Sequence, residues 1–230
     1  MDIRVISIGT LSSHPLWGER QPARTGHATC TLIRAAKRNI LVDPGLPSPA
    51  MEARLAERAN LRPVEITHVF LTSFQPDTFR GIEVFDKATW WVSEAEREGM
   101  GVPLGLQLRK AATDGEGEGN AGVVAMLERH IAILKRCKPA PDELAAGLTL
   151  FPMHGVSPGM TGLVAALPRL TLLVAGDAVP TVEHLEQGQV LPWASDVSKA
   201  RESFVEAVEL ADLIVCGRDN LVVNPTKKVF

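Results

Sequence analysis

The chain contains no tyrosine and only three cysteines, and aromatic residues make up 5% of its 230 positions. Cys30, Cys137 and Cys216 lie far apart, and three cysteines cannot form the complete disulfide framework that supports small secreted domains. We therefore expect reduced thiols and a cytoplasmic location. Cys30 and Cys216 stand in apolar, strand-like stretches, where a cysteine usually packs as a small apolar residue.

An excess of positive charge and a long apolar run are also missing. Lys and Arg total 24 against 27 Asp and Glu, which gives a net charge of −3, whereas a broad nucleic-acid surface needs a basic excess. No apolar run approaches the ~20 residues that span a bilayer, and the first residues lack the basic segment and apolar block of a signal peptide. We expect no nucleic-acid or membrane partner. A small-molecule ligand and a second copy of the chain in a homodimer are the partners left open.

Composition and patterning indicate a globular α/β protein. Hydrophobic residues make up 45% of the chain and charged residues 22%, close to the average of soluble domains. Two β-rich halves each carry helices without a Pro- or Ser-rich linker between them, so residues 1–230 are predicted to form one domain with two sheets face to face and helices outside. The glycine- and acid-rich residues 113–120 are predicted to be a loop. The clearest predicted strands are residues 3–9, 27–34, 38–43, 67–72, 148–151, 162–166, 170–175 and 213–216, and the clearest helices are residues 49–60 and 198–211.

The most informative motif follows the predicted strand at residues 67–72. Residues 67–81 read Thr-His-Val-Phe-Leu-Thr-Ser-Phe-Gln-Pro-Asp-Thr-Phe-Arg-Gly. This resembles the signature of the metallo-β-lactamase fold, in which a strand ends in Thr-His-x-His-x-Asp-His and Gly follows closely. Residues two apart at a strand end point the same way and can reach one metal, and the Asp-His pair after the turn reaches a second. The four ligand positions hold Ser73, Gln75, Asp77 and Thr78 in this chain. Only the aspartate is retained.

Two further segments stand in the order that the family has. Residues 40–45, Ile-Leu-Val-Asp-Pro-Gly, resemble its early Val-Asp-x-Gly turn. Residues 151–159, Phe-Pro-Met-His-Gly-Val-Ser-Pro-Gly, resemble its Pro-Gly-His-Thr-Pro-Gly segment. The resemblance places His154 at a ligand position.

The last two landmarks lie near the end of the chain. Residues 174–178 resemble the Gly-Asp segment whose aspartate, Asp177 here, bridges two metals in the family. Residues 214–219 resemble the Pro-Gly-His-Asp segment, with Arg218 where the last ligand histidine would stand. The resemblance extends over about residues 3–223 and implies an αββα four-layer sandwich.

The stretch from Gly176 to Asp219 looks closest to the quorum-quenching lactonase and glyoxalase II side of the family. Lactonases of that kind commonly carry a tyrosine after Gly-Asp-Ala that assists the substrate. Because this chain has no tyrosine, lactonase activity is disfavoured.

The residues at the ligand positions also disfavour a di-zinc hydrolase. A catalytic zinc usually keeps three protein ligands and a water whose pKa falls to ~7. Neutral Ser and Gln oxygens are poor substitutes for imidazole on zinc, and an arginine cannot coordinate a cation. The first hypothesis is therefore a degenerate member of the family, a ligand-binding or regulatory pseudoenzyme without a cofactor. A purely structural subunit is a further hypothesis.

The alternative is a mononuclear metal-dependent hydrolase of a small ester, lactone or thioester. Asp77, His154 and Asp177 could together hold one divalent cation, zinc, manganese or iron, which would polarise the carbonyl and activate water. Asp77 would then be the candidate catalytic residue. The pocket at the former ligand positions would be lined by Ser73, Gln75, Thr78 and Arg218.

Each candidate also has a structural interpretation. Asp77 could be the N-cap of the helix that follows, His154 a loop histidine held by backbone hydrogen bonds, and Asp177 a turn-stabilising carboxylate. Nothing in the sequence gives the other histidines supporting neighbours, and we expect them to be structural. These histidines are His14, His27, His68, His130 and His184.

Two carboxylates close together in a partly dry pocket are costly unless a cation compensates them. We hypothesise that the guanidinium of Arg218 takes the place of a metal and bridges Asp177 or Asp77. The coincidence of an arginine at one ligand position with the loss of three other ligands supports this hypothesis.

Overall fold

Residues 2–139 supply the strands of the first sheet. The computed structural model describes residues 1–113 and 118–227. In their order across this sheet, the strands are β1 (Asp2–Ser7), β2 (Cys30–Ala35), β3 (Arg38–Val42), β4 (His68–Leu71), β5 (Thr89–Val92) and β6 (Lys138–Pro139). The pairs from β1 to β3 are antiparallel and the pairs from β3 to β6 are parallel. Because β1 is the first strand in this order, it is an edge strand.

The second sheet is built from the C-terminal half. Its strands are β7 (Glu143–Ala145), β8 (Leu148–Pro152), β9 (Thr161–Ala166), β10 (Thr171–Gly176), β11 (Leu213–Cys216) and β12 (Leu221–Val223). They lie in the order β12-β11-β10-β9-β8-β7, and β10 and β11 are the parallel pair.

Helices cover the outer faces of both sheets. They are α1 (Ser48–Ala59), α2 (Pro76–Phe79), α3 (Glu94–Thr113), α4 (Glu118–Arg136), α5 (Val182–Gln187) and α6 (Val197–Leu210). The predicted helix at residues 49–60 is confirmed as α1. Its buried residues, Met51, Leu55 and Ala59, lie four positions apart and pack between the first sheet and its outer helices, in a cluster that we call the first outer core. In α6, Ala200 and Phe204 are buried between the second sheet and its outer helices, in the second outer core.

A central apolar layer joins the two sheets. Phe70 and Trp91 from the first sheet share a buried cluster with Leu163, Val174 and Val215 from the second. With helices outside each sheet, the chain forms the predicted αββα sandwich. Strands such as β4 are buried on both faces, which is why its sequence is almost continuously apolar.

The helical pair α3 and α4 differs from the sequence prediction. Thr113 ends α3 and residues 118–120 begin α4, so these four residues are helical where a loop is predicted. Residues 114–117 lie outside the described part of the chain. Pro103 and several glycines interrupt the helical pattern of α3, and its packing with α4 in the first outer core offsets their low helix propensity. Of the helices in the described ranges, none is long and apolar enough to cross a membrane.

The order of the strands places the landmark segments together. β3 and β4 are parallel neighbours in one sheet, and β10 and β11 are parallel neighbours in the other. Because carboxyl ends of parallel strands meet at one edge, the segments after them lie side by side. Asp43 follows β3 directly, Asp177 follows β10, and Gly217-Arg218 follow β11.

Candidate functional site

An arginine lies between two aspartates at this edge of the sandwich. Nε of Arg218 donates to Oδ1 of Asp177 at 2.7 Å, and Nη2 donates to Oδ2 of the same carboxylate at 2.6 Å. Nη1 donates to Oδ2 of Asp77. The hypothesis that Arg218 binds Asp177 or Asp77 is confirmed, and Arg218 binds both at once.

The cluster is buried on one side and open on the other. Arg218 and Asp177 are each 6% exposed, whereas the Asp77 side chain is 31% exposed. Burial alone would lower the pKa of Arg218, but the charge and hydrogen bonds of Asp177, followed by those of Asp77, raise it above its ordinary value. The guanidinium is therefore a permanent cation facing two carboxylates.

Close backbone approach fixes the position of this arginine. A Cβ on Gly217 would lie 2.4 Å from the carbonyl carbon of Gly176, so only glycine lets the end of β11 reach the end of β10. The N–H groups of Gly217 and Arg218 then donate to the carbonyls of Val179 and Pro180 at 3.0 and 2.7 Å. These backbone hydrogen bonds hold Arg218 in place independently of the contacts that its side chain makes.

Asp43, in the Val-Asp-Pro-Gly turn, is a buried carboxyl that the sequence analysis did not single out. Its oxygens accept hydrogen bonds from the backbone N and Oγ1 of Thr72 at 2.8 and 2.7 Å. Burial raises the pKa of Asp43 to about 7, although the hydrogen bonds from Thr72 oppose the rise, and the negative charge of Asp177 adds to it. Its φ of +49° is left-handed. The sequence feature that could have identified Asp43 is its place as a polar residue at the end of an apolar strand.

Glu96 is a second functional-region residue that sequence reasoning missed. It is fully buried, and its Oε1 accepts from the backbone N of Phe74 at 2.7 Å. Its Oε2 accepts from Oγ of Ser157 and from N of Gly159, both at 2.8 Å. One carboxylate therefore joins the segment after β4 to the loop after β8. Ser93 and Glu96 have the spacing of a capping box, but the carboxylate reaches across the fold instead.

The positions around Asp77 that the resemblance assigns to metal ligands have structural contacts of their own. Oγ1 of Thr78 donates towards the carbonyls of Ser73 and Gln75, each at 2.8 Å. Gln75 is the N-cap of α2 and Asp77 lies within the first turn, so the N-cap interpretation of Asp77 is wrong. The buried hydroxyl of Ser73 has no hydrogen-bond partner in the described part of the chain. Gln75 also lines a cavity of about 230 Å³ beside α3 and α4.

His154 lies in the turn after β8 and is half-buried. Its carbonyl accepts a hydrogen bond from Oγ of Ser203 at 2.8 Å, and within residues 1–113 and 118–227 its imidazole forms no hydrogen bond or ion pair. The structure does not join it to the arginine cluster. Its assignment to a pocket stays a prediction.

Two histidines that the sequence analysis left without partners do have them. Nε2 of His14 lies 3.2 Å from Oγ1 of Thr181, and Nδ1 of His184 lies 2.9 Å from the same oxygen. The Thr181 hydroxyl donates to Oε2 of Glu183 at 2.7 Å, so both imidazoles donate to it. Burial, followed by the charge of His14, lowers the pKa of His184 to about 4. His14 also stacks on Trp17 with ring centroids 4.1 Å apart. The Thr181 hydroxyl, shared by His14 and His184, links the loop after β1 to the start of α5.

The donor set does not fit the zinc centre that the resemblance implies. Across the described residues, no three His, Cys, Asp or Glu side chains form a group that could hold a metal ion. Asp77 and Asp177 already bind a guanidinium, and a metal would have to displace it. A mononuclear site on Asp77, His154 and Asp177 therefore stays a prediction, and it requires Arg218 to move away.

The sequence model of the metallo-beta-lactamase superfamily matches residues 23–217. The chain belongs to this superfamily. No curated protein matches the chain. Metallo-beta-lactamase-fold neighbours among solved structures share its architecture at low identity.

Three of these solved structures have TM-scores between 0.62 and 0.70. A probable metal-dependent hydrolase from Staphylococcus aureus is 16% identical with a TM-score of 0.70, over 96% of this chain and 91% of that one. The hydrolase AbOPH of the beta lactamase superfamily is 17% identical with a TM-score of 0.63, over 99% of this chain and 91% of that one. The dizinc quorum-quenching lactonase AidC is 16% identical with a TM-score of 0.62, over 79% of this chain and 67% of that one. At these identities the likeness shows the fold alone.

Proposed function

We propose that this chain is a metallo-beta-lactamase superfamily member in which an internal arginine replaces the metal, and that it works as a ligand-binding or regulatory protein. One observation carries the proposal. The guanidinium of Arg218 binds the carboxylates of Asp77 and Asp177, and the resemblance assigns all three residues to metal-ligand positions.

An arginine in this place supports a different chemistry from a metal. A guanidinium neutralises and orients carboxylates, but it stays protonated and has no open coordination position for water. It therefore cannot generate the hydroxide that a catalytic zinc supplies at neutral pH. Ser73, Gln75 and Thr78 add neutral oxygens, which are weak zinc ligands.

The second candidate is the mononuclear hydrolase of a small ester, lactone or thioester. It is favoured by the two aspartates, which already bind one cation, the guanidinium of Arg218, through different nitrogens. If Arg218 swings out, Asp77 and Asp177 become available together. His154 would have to complete such a site.

Metal analysis separates the two candidates. The full chain, purified without chelator and then incubated with zinc or manganese, is desalted and analysed for bound metal. We expect far less than one metal per chain. The matched positive control is Ser73→His/Gln75→His, which rebuilds a strand-end pair of imidazoles and leaves His154 available as a third ligand. We expect this variant to gain zinc.

Near-stoichiometric metal in the unmodified chain, lost in Asp177→Asn and accompanied by hydrolysis of a lactone, ester or thioester, would overturn the proposal in favour of the enzyme. Asp212→Asn, which removes a carboxylate outside the cluster, is the control for nonspecific loss of metal. A chain that neither holds metal nor hydrolyses these substrates agrees with the proposal.

A further inference from the structure

A cavity of about 440 Å³ opens between β1 and α1. Residues from the end of β1, from α1 and from the loop after β11 line it. Arg218, Asp77 and Asp177 are not among the lining residues, so the cavity is distinct from the arginine cluster. Its volume lies in the range of small-molecule sites.

Positive charge dominates its polar wall. Arg54 and Arg58 both line the cavity, and they are four residues apart on α1, so they lie on one helix face. Nη1 of Arg54 donates to Oε2 of Glu57 at 2.8 Å. The guanidinium of Arg58 has no partner in the described ranges. Among the described lining residues there is no carboxylate.

Three further polar residues, Ser7, His27 and Asn220, line the cavity. The ring nitrogens of His27 lie 3.4 and 3.2 Å from the carbonyl oxygens of Thr25 and Ile8. Ser7 lines the cavity, is 9% exposed, and its buried hydroxyl has no hydrogen-bond partner among the described residues. A buried hydroxyl without a partner is unfavourable, and a ligand or water that pairs with it relieves that cost. Asn220 also lines the cavity, and its Oδ1 accepts from N of Leu221 at 2.8 Å. Its amide N–H groups remain as donors.

The remaining wall is apolar. Ile8 is 49% exposed at the end of β1, and Val5 and Leu46 line the cavity with it. Exposed isoleucine beside two arginines suits a ligand that is charged at one end and apolar at the other. Arginine forks recognise carboxylate and phosphate oxygens in pairs.

We infer that this cavity binds a small organic anion, with its carboxylate or phosphate on Arg58 and Arg54 and its apolar part against Ile8 and Leu46. The inference does not depend on the proposed function, because neither metal content nor the arginine cluster enters it. If the chain proves to be a metalloenzyme, the anion site is unaffected.

The test titrates three six-carbon probes into the full chain and measures heat and amide chemical shifts. Hexanoate and hexyl phosphate carry the two headgroups, and hexanol has the same tail without charge. We expect saturable binding of at least one anion and none of hexanol; the tighter anion identifies the headgroup. Arg58→Gln should weaken that anion about tenfold or more, Arg54→Glu/Arg58→Glu should abolish binding, and Ser7→Ala should weaken it a few-fold.

The matched control is Arg109→Gln, which removes one positive charge from the exposed face of α3. It should bind like the unmodified chain. The inference is overturned if neither anion binds, if hexanol binds as tightly as the anions, or if Arg58→Gln and Arg109→Gln have equal affinity. Circular dichroism of each variant checks that it is folded.

Discussion

The guanidinium of Arg218 forms two parallel hydrogen bonds with the carboxylate of Asp177, at 2.7 and 2.6 Å, and a third with Asp77. Both members of the bidentate pair are buried. A buried pair of this kind is costly to break, because the partner that remains keeps an uncompensated charge away from water. The cluster should therefore contribute to folding as well as to any binding.

Arg218→Met should lower the free energy of unfolding by about 3–5 kcal/mol, since it leaves two carboxylates without their cation. Urea denaturation at neutral pH measures the loss. Adding Asp177→Asn to this variant should recover part of it. Arg129→Met is the control, because it removes the half-exposed pair with Glu83 and should cost less than about 1 kcal/mol. Equal losses in Arg218→Met and Arg129→Met would refute the structural importance of the cluster.

The Asp43 carboxyl predicts a specific pH dependence. Its pKa is about 7 in the folded chain against an ordinary value of 3.8, so between these pH values the folded state holds a proton that the unfolded state has released. Its stabilising contribution is complete below pH 3.8 and is lost as pH rises through about 7, by at most about 4 kcal/mol. Asp43→Asn keeps an oxygen for the backbone N–H of Thr72 and suits a left-handed φ.

The measurement is the difference in unfolding free energy between the unmodified chain and Asp43→Asn across pH 4 to 8. As pH rises, the unfolding free energy of Asp43→Asn should increase relative to that of the unmodified chain. Asp2→Asn, at the exposed start of β1, should show no such trend. A difference that is flat with pH would show that Asp43 is not a raised-pKa carboxyl.

His184 should act in the opposite direction. Its pKa is lowered to about 4 from 6.5, so the folded state binds fewer protons than the unfolded state between these values. Its contribution is complete above pH 6.5 and is lost as pH falls through about 4, by up to about 3 kcal/mol. Because Asp43 and His184 oppose each other over pH 4 to 6.5, the unmodified chain should show a shallow profile there.

His184→Gln should therefore unmask a stability that increases towards low pH, as unfolding at a series of pH values would reveal. His27→Gln, a half-exposed histidine elsewhere, serves as the comparison and should leave the profile unchanged. If both variants give the same profile, the lowered pKa of His184 is wrong.

Glu96→Ala should destabilise the fold by about 3 kcal/mol or more, because three donors lose their acceptor in a buried region. Thermal and urea unfolding measure the loss. Glu94→Ala, an exposed residue in the same helical turn, should change stability by only a few tenths of a kcal/mol. A small effect at both positions would mean that Glu96 does not join the two segments.

The sequence predicted the sandwich from the apolar pattern of its strands together with the resemblance to the metallo-β-lactamase family. The resemblance, and no local pattern, assigned Asp77, Asp177 and Arg218 to one place before any contact was known. It assigned His154 there as well, but among the described residues the His154 imidazole has no hydrogen-bond or ion-pair partner.

The hydrogen-bond partners of the buried polar residues could not be predicted from the sequence. Glu96 and Ser157 are 61 positions apart, and His14 and Thr181 are 167 apart. The sequence around each of these four residues looks like an ordinary helix cap or loop, so it gives no sign of the distant partner. The sequence by itself predicted the architecture, through its strand pattern and the family resemblance, and it predicted that Arg218 lies beside Asp77 or Asp177. Only the tertiary structure decided which carboxyls are buried, which groups they bind and where a cavity forms, because desolvation and hydrogen bonding depend on residues that the chain brings together from distant positions.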